Sequence, residues 1–355
     1  MPPGIPDAPR HVSPRKHAPL LLRLGCGEGP VSTRNLYTGS HSPRLGDIAS
    51  PGPADHMLRK ADLHIHTRYS GLTKVSFLTF PDSISRPSDI VMTAEKKQIS
   101  VLCITDHNSI RGAIEAKKLA TSVEIVVGSE IATRDGDLIG MFLTEDIMKG
   151  LGAEETIDAI HAQGGLAIAP HPFSSHCSSL GLKIMDLRLD GVELFNAAHR
   201  DGYTNEAAQR LSGKLDLAFV GGSDAHSHTM VGNAYTLFEG EGPEDLRKAI
   251  LAKKTTFAGD PTPLKELVWM TVNVTAELWK ILALSLLKRP VVDATECELV
   301  VSRMRTISKV VALMGATAFL VPPAPALAGI VGDYIHRSRS RTHFARVFDG
   351  SKTTP

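Results

Sequence analysis

The sequence predicts an α/β fold in which strands and helices alternate around a barrel. Three observations carry this expectation. Between Leu58 and about Phe257, short apolar runs of strand length alternate with segments of helical pattern. Such alternation implies βαβ units and a parallel sheet or barrel, and at least six runs suit a barrel better than a small open sheet. Nearly every run ends in His, Asp or Glu, and in α/β barrels the carboxyl ends of strands carry the chemistry.

The first run, "ADLHIHT" (Ala61–Thr67), places His64 and His66 two apart. On a strand, residues i and i+2 share a face, so the two imidazoles project together. The following runs are "SVLCITDH" (Ser100–His107), "VEIVVGSEI" (Val123–Ile131), "DLIGMFL" (Asp137–Leu143), "LAIAPH" (Leu166–His171), "DGVELFNA" (Asp190–Ala197) and "LAFVGGSDAH" (Leu217–His226). Helices are expected over Pro87–Gln98, Ile110–Ala120, Ala153–Gly164, Thr204–Lys214 and Pro243–Lys253, the second capped by Asn108-Ser109.

Composition narrows the function classes. A formal net charge of +1 on 355 residues gives no global field for nucleic acid or membrane. The four cysteines, Cys26, Cys103, Cys177 and Cys297, form no CxxC pair, which argues against a disulfide framework or a thiolate zinc site. A reducing, cytoplasmic setting is expected. Residues 1–56 are rich in Pro, Gly, Ser and Arg without sustained periodicity and read as a disordered extension. "APLLLRLG" is too short for a signal peptide and is interrupted by Arg23. Met57 stands just before the first strand, so it is the expected true start.

The polar strand ends are the candidate site. His64 and His66 end the first strand, Asp106 and His107 the second, Glu130 the third, His171 the fifth, and Asp224 and His226 the last. A set of imidazoles and carboxylates suits zinc, manganese or iron. More than six ligands exceed one tetrahedral site, so two or three ions are expected. Pro170 and Pro172 fix the backbone around His171.

The motifs "DLHIHT", "ITDH", "GSEI", "APHP" and "GGSDAH", in this order and spacing, resemble the PHP family, named for polymerase and histidinol phosphatase. The resemblance covers about Leu58 to Pro263. It implies a distorted (β/α)7 barrel with up to three divalent ions at its carboxyl-terminal mouth. The implied metal ligands are His64, His66, His107, Glu130, His171, Asp224 and His226, with Glu130 bridging and Asp106 orienting a ligand. Catalytic roles fall on Asp224, Glu130 and His226. Two positions depart from the pattern. "RYSG" stands where many members carry an acidic residue or histidine after HxH, and Asp137 stands where many carry a further histidine. Asp137 is expected to replace that histidine as a ligand.

Arg68, Arg134, Arg200 and His199 lie near strand ends and are expected to contact substrate phosphate. His176 lies in a loop at the same end, whereas His161 and His228 read as structural. Residues 57–263 thus form the catalytic domain and 264–355 a helical, apolar appendage. In the latter, Val268–Pro290 could lie at a membrane interface. Val310–Gly332 contains 23 uncharged residues, enough to span a bilayer, although Pro322, Pro323 and Pro325 would break a helix there. Packing of this region on the barrel or on a second subunit is expected over membrane association.

The expected function is metal-dependent hydrolysis of a phosphoester. The resemblance to the nucleotide-bisphosphate phosphatase and 5′-exoribonuclease branch implies a nucleotide 3′,5′-bisphosphate or the 5′ end of a short single strand. Histidinol phosphate is the rival substrate, and a non-catalytic, metal-bound scaffold attached to membrane is the rival class.

Overall fold

The computed structural model of the chain describes residues 58–75, 78–119, 122–289 and 294–348. The expectations for residues 1–56 and for Met57 fall outside them. The chain divides into two units, Met1–Asp55 and His56–Pro355, and the second holds every element below.

Strand β1 (Leu58–Asp62) leads to a hairpin, β2 (Leu72–Val75) and β3 (Leu78–Pro81). Then follow α1 (Pro87–Lys96), β4 (Val101–Ile104), α2 (Arg111–Lys117), β5 (Glu124–Ala132), β6 (Asp137–Met141), α3 (Ala153–Ala162) and β7 (Leu166–Ala169). Next come β8 (Gly191–Asn196), α4 (Tyr203–Leu211), β9 (Ala218–Gly222), β10 (Ala234–Glu239), α5 (Pro243–Leu251) and β11 (Thr256–Gly259). Each of the seven expected runs contains a strand, but β1 ends at Asp62, so His64 and His66 of the first run follow the strand instead of lying on it. Strands β4, β6 and β7 are buried at every residue, which is why they read as nearly continuous apolar runs rather than alternating ones. Helices α1 and α5 open with Pro at the first turn, where a missing N–H costs nothing. Helix α3 opens with Glu155 reaching back to accept from Gly152 N at 2.8 Å.

The sheet runs β11-β10-β1-β4-β5-β6-β7-β8-β9. Past the end of β1, Ile65 pairs in parallel with Ala225, beyond β9. His66 N donates to the Ala225 carbonyl at 2.9 Å, and Ala225 N donates to the His64 carbonyl at 3.3 Å. Strands β1 and β4–β9 therefore close a seven-membered barrel, distorted because β10 pairs with the beginning of β1 from Leu58 to Ala61.

Six of the seven barrel strands run one way. Strand β6 runs antiparallel to both β5 and β7. Its first residue, Asp137, thus lies at the end of the barrel where the other strands finish. Among the described residues, two of the three buried clusters lie in the barrel domain and the third, around Leu282 and Val301, lies among the C-terminal helices. Of the two in the barrel domain, one joins Ile104, Ile131, Leu138 and Val192 to helix residues Ile90, Ala113, Ile157 and Ala208. The other gathers Val101, Met141, Ile168 and Val220 with Phe238 of β10 and Ile250 of α5.

Four helices follow: α6 (Leu264–Leu286), α7 (Glu296–Arg303), α8 (Thr306–Leu320) and α9 (Ala324–Phe348). Helices α6 and α9 pack against the barrel domain, as the sequence reading expected over membrane association, and α7 and α8 pack on α6. Helix α6 meets β3, α8 and α9, and α9 reaches α4. The Phe344 ring lies 5.7 Å from Tyr203 and the Phe348 ring 6.1 Å from Phe173. The uncharged stretch Val310–Gly332 is not one straight helix, because α8 and α9 meet at 86° around Pro322 and Pro323. Among the described residues, α6 is the single unbroken helix long and apolar enough to cross a membrane.

Candidate metal centre

The site sits where the barrel closes. His64 and His66 fall just after β1, in the segment held by the Ile65–Ala225 bridge. A second bridge pairs His107 with Glu130. Asp224 and His171 both have positive φ, +50° and +25°. Non-glycine residues held there are strained, and such strain concentrates at functional sites.

Glu130 is the hub. Its Oε2 lies 3.3 Å from His64 Nε2, 3.4 Å from His66 Nε2 and 3.3 Å from His107 Nδ1. Its Oε1 lies 3.0 Å from His171 Nε2. Asp224 Oδ1 lies 3.3 Å from His66 Nε2 and 3.5 Å from both His64 Nε2 and His226 Nδ1. The seven ligands implied by the resemblance are thus together at one mouth. Donor atoms converge in the groups His64–His66–Asp224, His64–Glu130–His171 and His66–Asp82–His107–His226.

Asp82 is the member that sequence reasoning missed. Its Oδ2 lies 3.3 Å from His226 Nε2, 3.8 Å from His66 Nδ1 and 3.9 Å from His107 Nε2. It supplies the acidic group that "RYSG" lacks after HxH. The β2–β3 hairpin stands between the two in sequence, and "FPDS" after the returning strand was the available signal. Thr73, on that hairpin, donates its hydroxyl to Asp82 Oδ1.

Electrostatics make the group interdependent. Burial alone would raise the Glu130 and Asp224 carboxyls. The imidazoles of His107 and His64 around Glu130, and of His64, His66 and His226 around Asp224, instead hold both well below the ordinary range. Asp82 is depressed in the same way, chiefly by His226. Burial disfavours charge on His226, but Asp82 and Asp224 push it up to about 10. Burial and the neighbouring His226 bring His66 down to about 4.

These residues fit divalent ions on direct observation. His66 Nε2 and Asp82 Oδ2 are buried without hydrogen-bond partners. Buried polar groups are ordinarily paired, and atoms left over inside a carboxylate–imidazole cluster are what ion ligation uses. The other faces of the ligands are held. His64 Nδ1 lies 3.3 Å from Glu193 Oε1. Glu193 Oε2 accepts from His171 N at 2.8 Å and from Asn196 Nδ2 at 2.9 Å. Asn196 Nδ2 also donates to Asp224 Oδ2 at 3.1 Å. His66 Nδ1 meets the Ser70 hydroxyl at 2.9 Å. Such outer partners set ring orientation. Glu193 was not recognised from sequence, although a glutamate inside the apolar run "GVELFN" demands a buried partner.

Other expected residues are placed differently. The Asp106 carboxylate makes no hydrogen bond or ion pair to an imidazole among the described residues. It accepts from Thr67 N at 2.5 Å and Thr67 Oγ1 at 2.7 Å, holding the backbone after His66, and burial pushes it up to about 7. Asp137 is buried at the mouth, and burial together with the Glu130 charge pushes it up to about 7. Its carboxylate belongs to none of the converging donor groups among the described residues.

The three arginines expected at phosphate have protein partners. Arg200 pairs with Asp333 of α9 at 3.4 Å and donates to the Thr262 carbonyl. Arg134 pairs with Glu155 at 3.2 Å on the surface, and Arg68 lies 3.8 Å from Glu298 of α7. His199 is buried beside His171, with ring centroids 5.3 Å apart. His176 packs between His199 and His336 of α9, at 4.5 and 4.3 Å. His161 pairs with Asp190 at 2.8 Å, as a structural residue does.

A cavity of about 830 Å³ opens beside His107, and its lining includes Ser70, Tyr69, Arg111, Asp137 and Lys149. The Arg111 guanidinium lies 4.5 Å over the Tyr69 ring. Ala294, Glu296 and Leu299, from α7 and the residues before it, complete one wall.

The chain matches the PHP domain over residues 62–205 and the PHP-associated region over residues 202–255. An uncharacterised protein of Methanocaldococcus jannaschii is 60% identical over 151 residues, 42% of this chain and 88% of that one. A second uncharacterised protein of the same organism is 34% identical over 197 residues, 53% of this chain and 75% of that one. Among solved structures, PsfC of Pseudomonas syringae aligns with a TM-score of 0.47 and 17% identity, over 62% of this chain and 99% of that one.

Proposed function

Because this chain belongs to the PHP family and gathers a carboxylate–imidazole cluster fit for divalent ions, we propose that it is a metal-dependent hydrolase that cleaves a phosphoester of a nucleotide 3′,5′-bisphosphate or of the 5′ end of a short single strand. The observation that supports a nucleotide is the cavity beside His107, where Tyr69, Arg111 and Lys149 line one space. Arg111, 4.5 Å over the Tyr69 ring, and Lys149 bring an arginine–aromatic pair and a second cation to that space, a lining that suits a phosphorylated nucleotide.

When bound, divalent ions activate water and polarise phosphoryl oxygens. The chain's own residues do the rest. Glu130 turns its two oxygens to different ligands, the disposition a bridging carboxylate needs. Asp224, held ionised by the imidazoles around it, is the acceptor for the water's proton. Glu193 and Ser70 hold the rings of His64 and His66, so the donor geometry is set before substrate arrives.

The test is turnover by metal-loaded protein on adenosine 3′,5′-bisphosphate, a 5′-phosphorylated tetranucleotide and histidinol phosphate, each with manganese, zinc and ferrous iron. The reading expects kcat/KM at least about tenfold higher on either nucleotide than on histidinol phosphate. The reverse order would assign the amino-alcohol substrate, and no turnover on any of them would favour the non-catalytic scaffold. Attachment to lipid remains a proposal for α6, which exposes Trp269 and Trp279. Co-sedimentation of the full chain with anionic vesicles tests it.

A further inference from the structure

His171, Cys177 and His199 each bring one donor atom to within 4.8 Å of the others. The roles assigned above leave Cys177 unused. His199 is 2% exposed, yet neither of its ring nitrogens has a hydrogen-bond partner. The nearest carboxylate oxygen, Asp201 Oδ2, lies 3.8 Å from His199 Nδ1, beyond hydrogen-bond reach. Nδ1 of His171 is buried and unpartnered as well. Two buried imidazoles with idle nitrogens beside one thiol are explained together if their lone pairs serve as ligands.

The local structure holds these groups in place. Ser174 N donates to the His171 carbonyl at 2.9 Å, and Cys177 N donates to Ser174 Oγ at 2.9 Å, which turns the chain back so that Cys177 approaches His171. The Ser175 hydroxyl meets that of Ser340 on α9 at 2.8 Å. The His176 ring lies against that of His199 and is backed by His336. A site built this way is preorganised rather than assembled on binding.

We propose that His171, Cys177 and His199 hold a divalent cation through one thiolate and two imidazoles. This rests on reading the main cluster as a metal centre, because His171 belongs to both groups. A Cys–His–His donor set selects zinc or ferrous iron over manganese or magnesium, which prefer oxygen. Coordination replaces the Cys177 S–H bond with a sulfur–metal bond, and His171, whose Nε2 faces the main cluster, gives up its remaining ring N–H to ligate through Nδ1 as well, so that with the main centre loaded two protons leave to solvent for each ion bound here.

The experiment uses the full chain, stripped with chelator and titrated with cobalt(II) or zinc. Cobalt is expected to produce a near-ultraviolet thiolate-to-metal charge-transfer band that Cys177→Ser abolishes. Elemental analysis after zinc loading is expected to find one ion fewer per chain in Cys177→Ser and in His199→Asn, with the remaining ions retained. Thermal melts of the metal-free variants close to that of the metal-free parent show that both fold. No charge-transfer band in the parent, together with unchanged zinc content in both variants, overturns the thiolate site while leaving the main centre intact. A parent chain that binds no metal at all overturns both.

Discussion

The Glu193 carboxylate lies 3.3 Å from Nδ1 of His64, while Nε2 of the same ring lies 3.3 Å from Glu130. One imidazole is thus gripped on one side and free to ligate on the other. Glu193→Ala is expected to weaken metal binding about 10–100-fold, the usual cost of losing such an outer partner. Competition against a calibrated chelator measures it. Affinity within twofold of the parent would leave Glu193 a packing residue.

Gly222 lies against this pair. A Cβ there would come within 2.6 Å of the His64 Cβ and 2.7 Å of Glu193 Oε1. Gly222→Ala is therefore expected to displace His64 and lower metal content, with a lower melting temperature because both neighbours are buried. Calorimetry and elemental analysis should move together, and an unaltered melt with full metal content contradicts the close approach.

Asp224→Ala removes a ligand and the proton acceptor at once. Loss of general-base function alone is worth about 10²–10⁴-fold, so kcat should fall by at least that range. A fall below tenfold under saturating metal would remove Asp224 from both roles.

Metal binding should depend on pH with a definite sign. His226, raised to about 10 in the metal-free chain, must lose its proton to bind an ion. Apparent metal affinity is expected to rise as pH increases from 6 to 9, and proton release should appear as a buffer-dependent heat in titration calorimetry. The same shift governs the metal-free fold. Its folded value lies above the unfolded one of 6.5. The stability that the Asp82–His226 pair contributes is therefore fully present below about pH 6.5 and is lost as pH rises through about 10. Melts of the metal-free chain should fall over that window, and a flat profile would count against the pairing.

Truncation after Pro263 leaves all eight donors around Glu130 and Asp224, including Asp82, in the chain. It removes the cavity wall at Ala294, Glu296 and Leu299, and the Arg68–Glu298 and Arg200–Asp333 pairs. The expected result is retained metal, a KM raised about tenfold or more, and a smaller change in kcat. Unchanged KM on a nucleotide substrate would show that the C-terminal helices do not shape the pocket.

The sequence by itself determined the seven barrel strands and the placement of His64, His66, His107, Glu130, His171, Asp224 and His226 at their ends. Both are local properties. A strand buried on both faces must be a continuous apolar run, and a polar group at its end marks where the run leaves the core. Only the tertiary structure decided what depends on distant segments meeting. Asp82 enters the cluster because a hairpin carries the chain out and back. Asp137 reaches the mouth because β6 runs in reverse, yet it stays outside the donor groups. Glu193 serves the site from within a strand. The three arginines point to carboxylates whose positions depend on helix packing. Residues 264–355 look like an appendage because their apolar pattern does not name a partner, and the barrel surface that receives them exists only after folding. Strand periodicity is written along the chain, whereas the pairing of buried charges is set by which ends the closing barrel brings together.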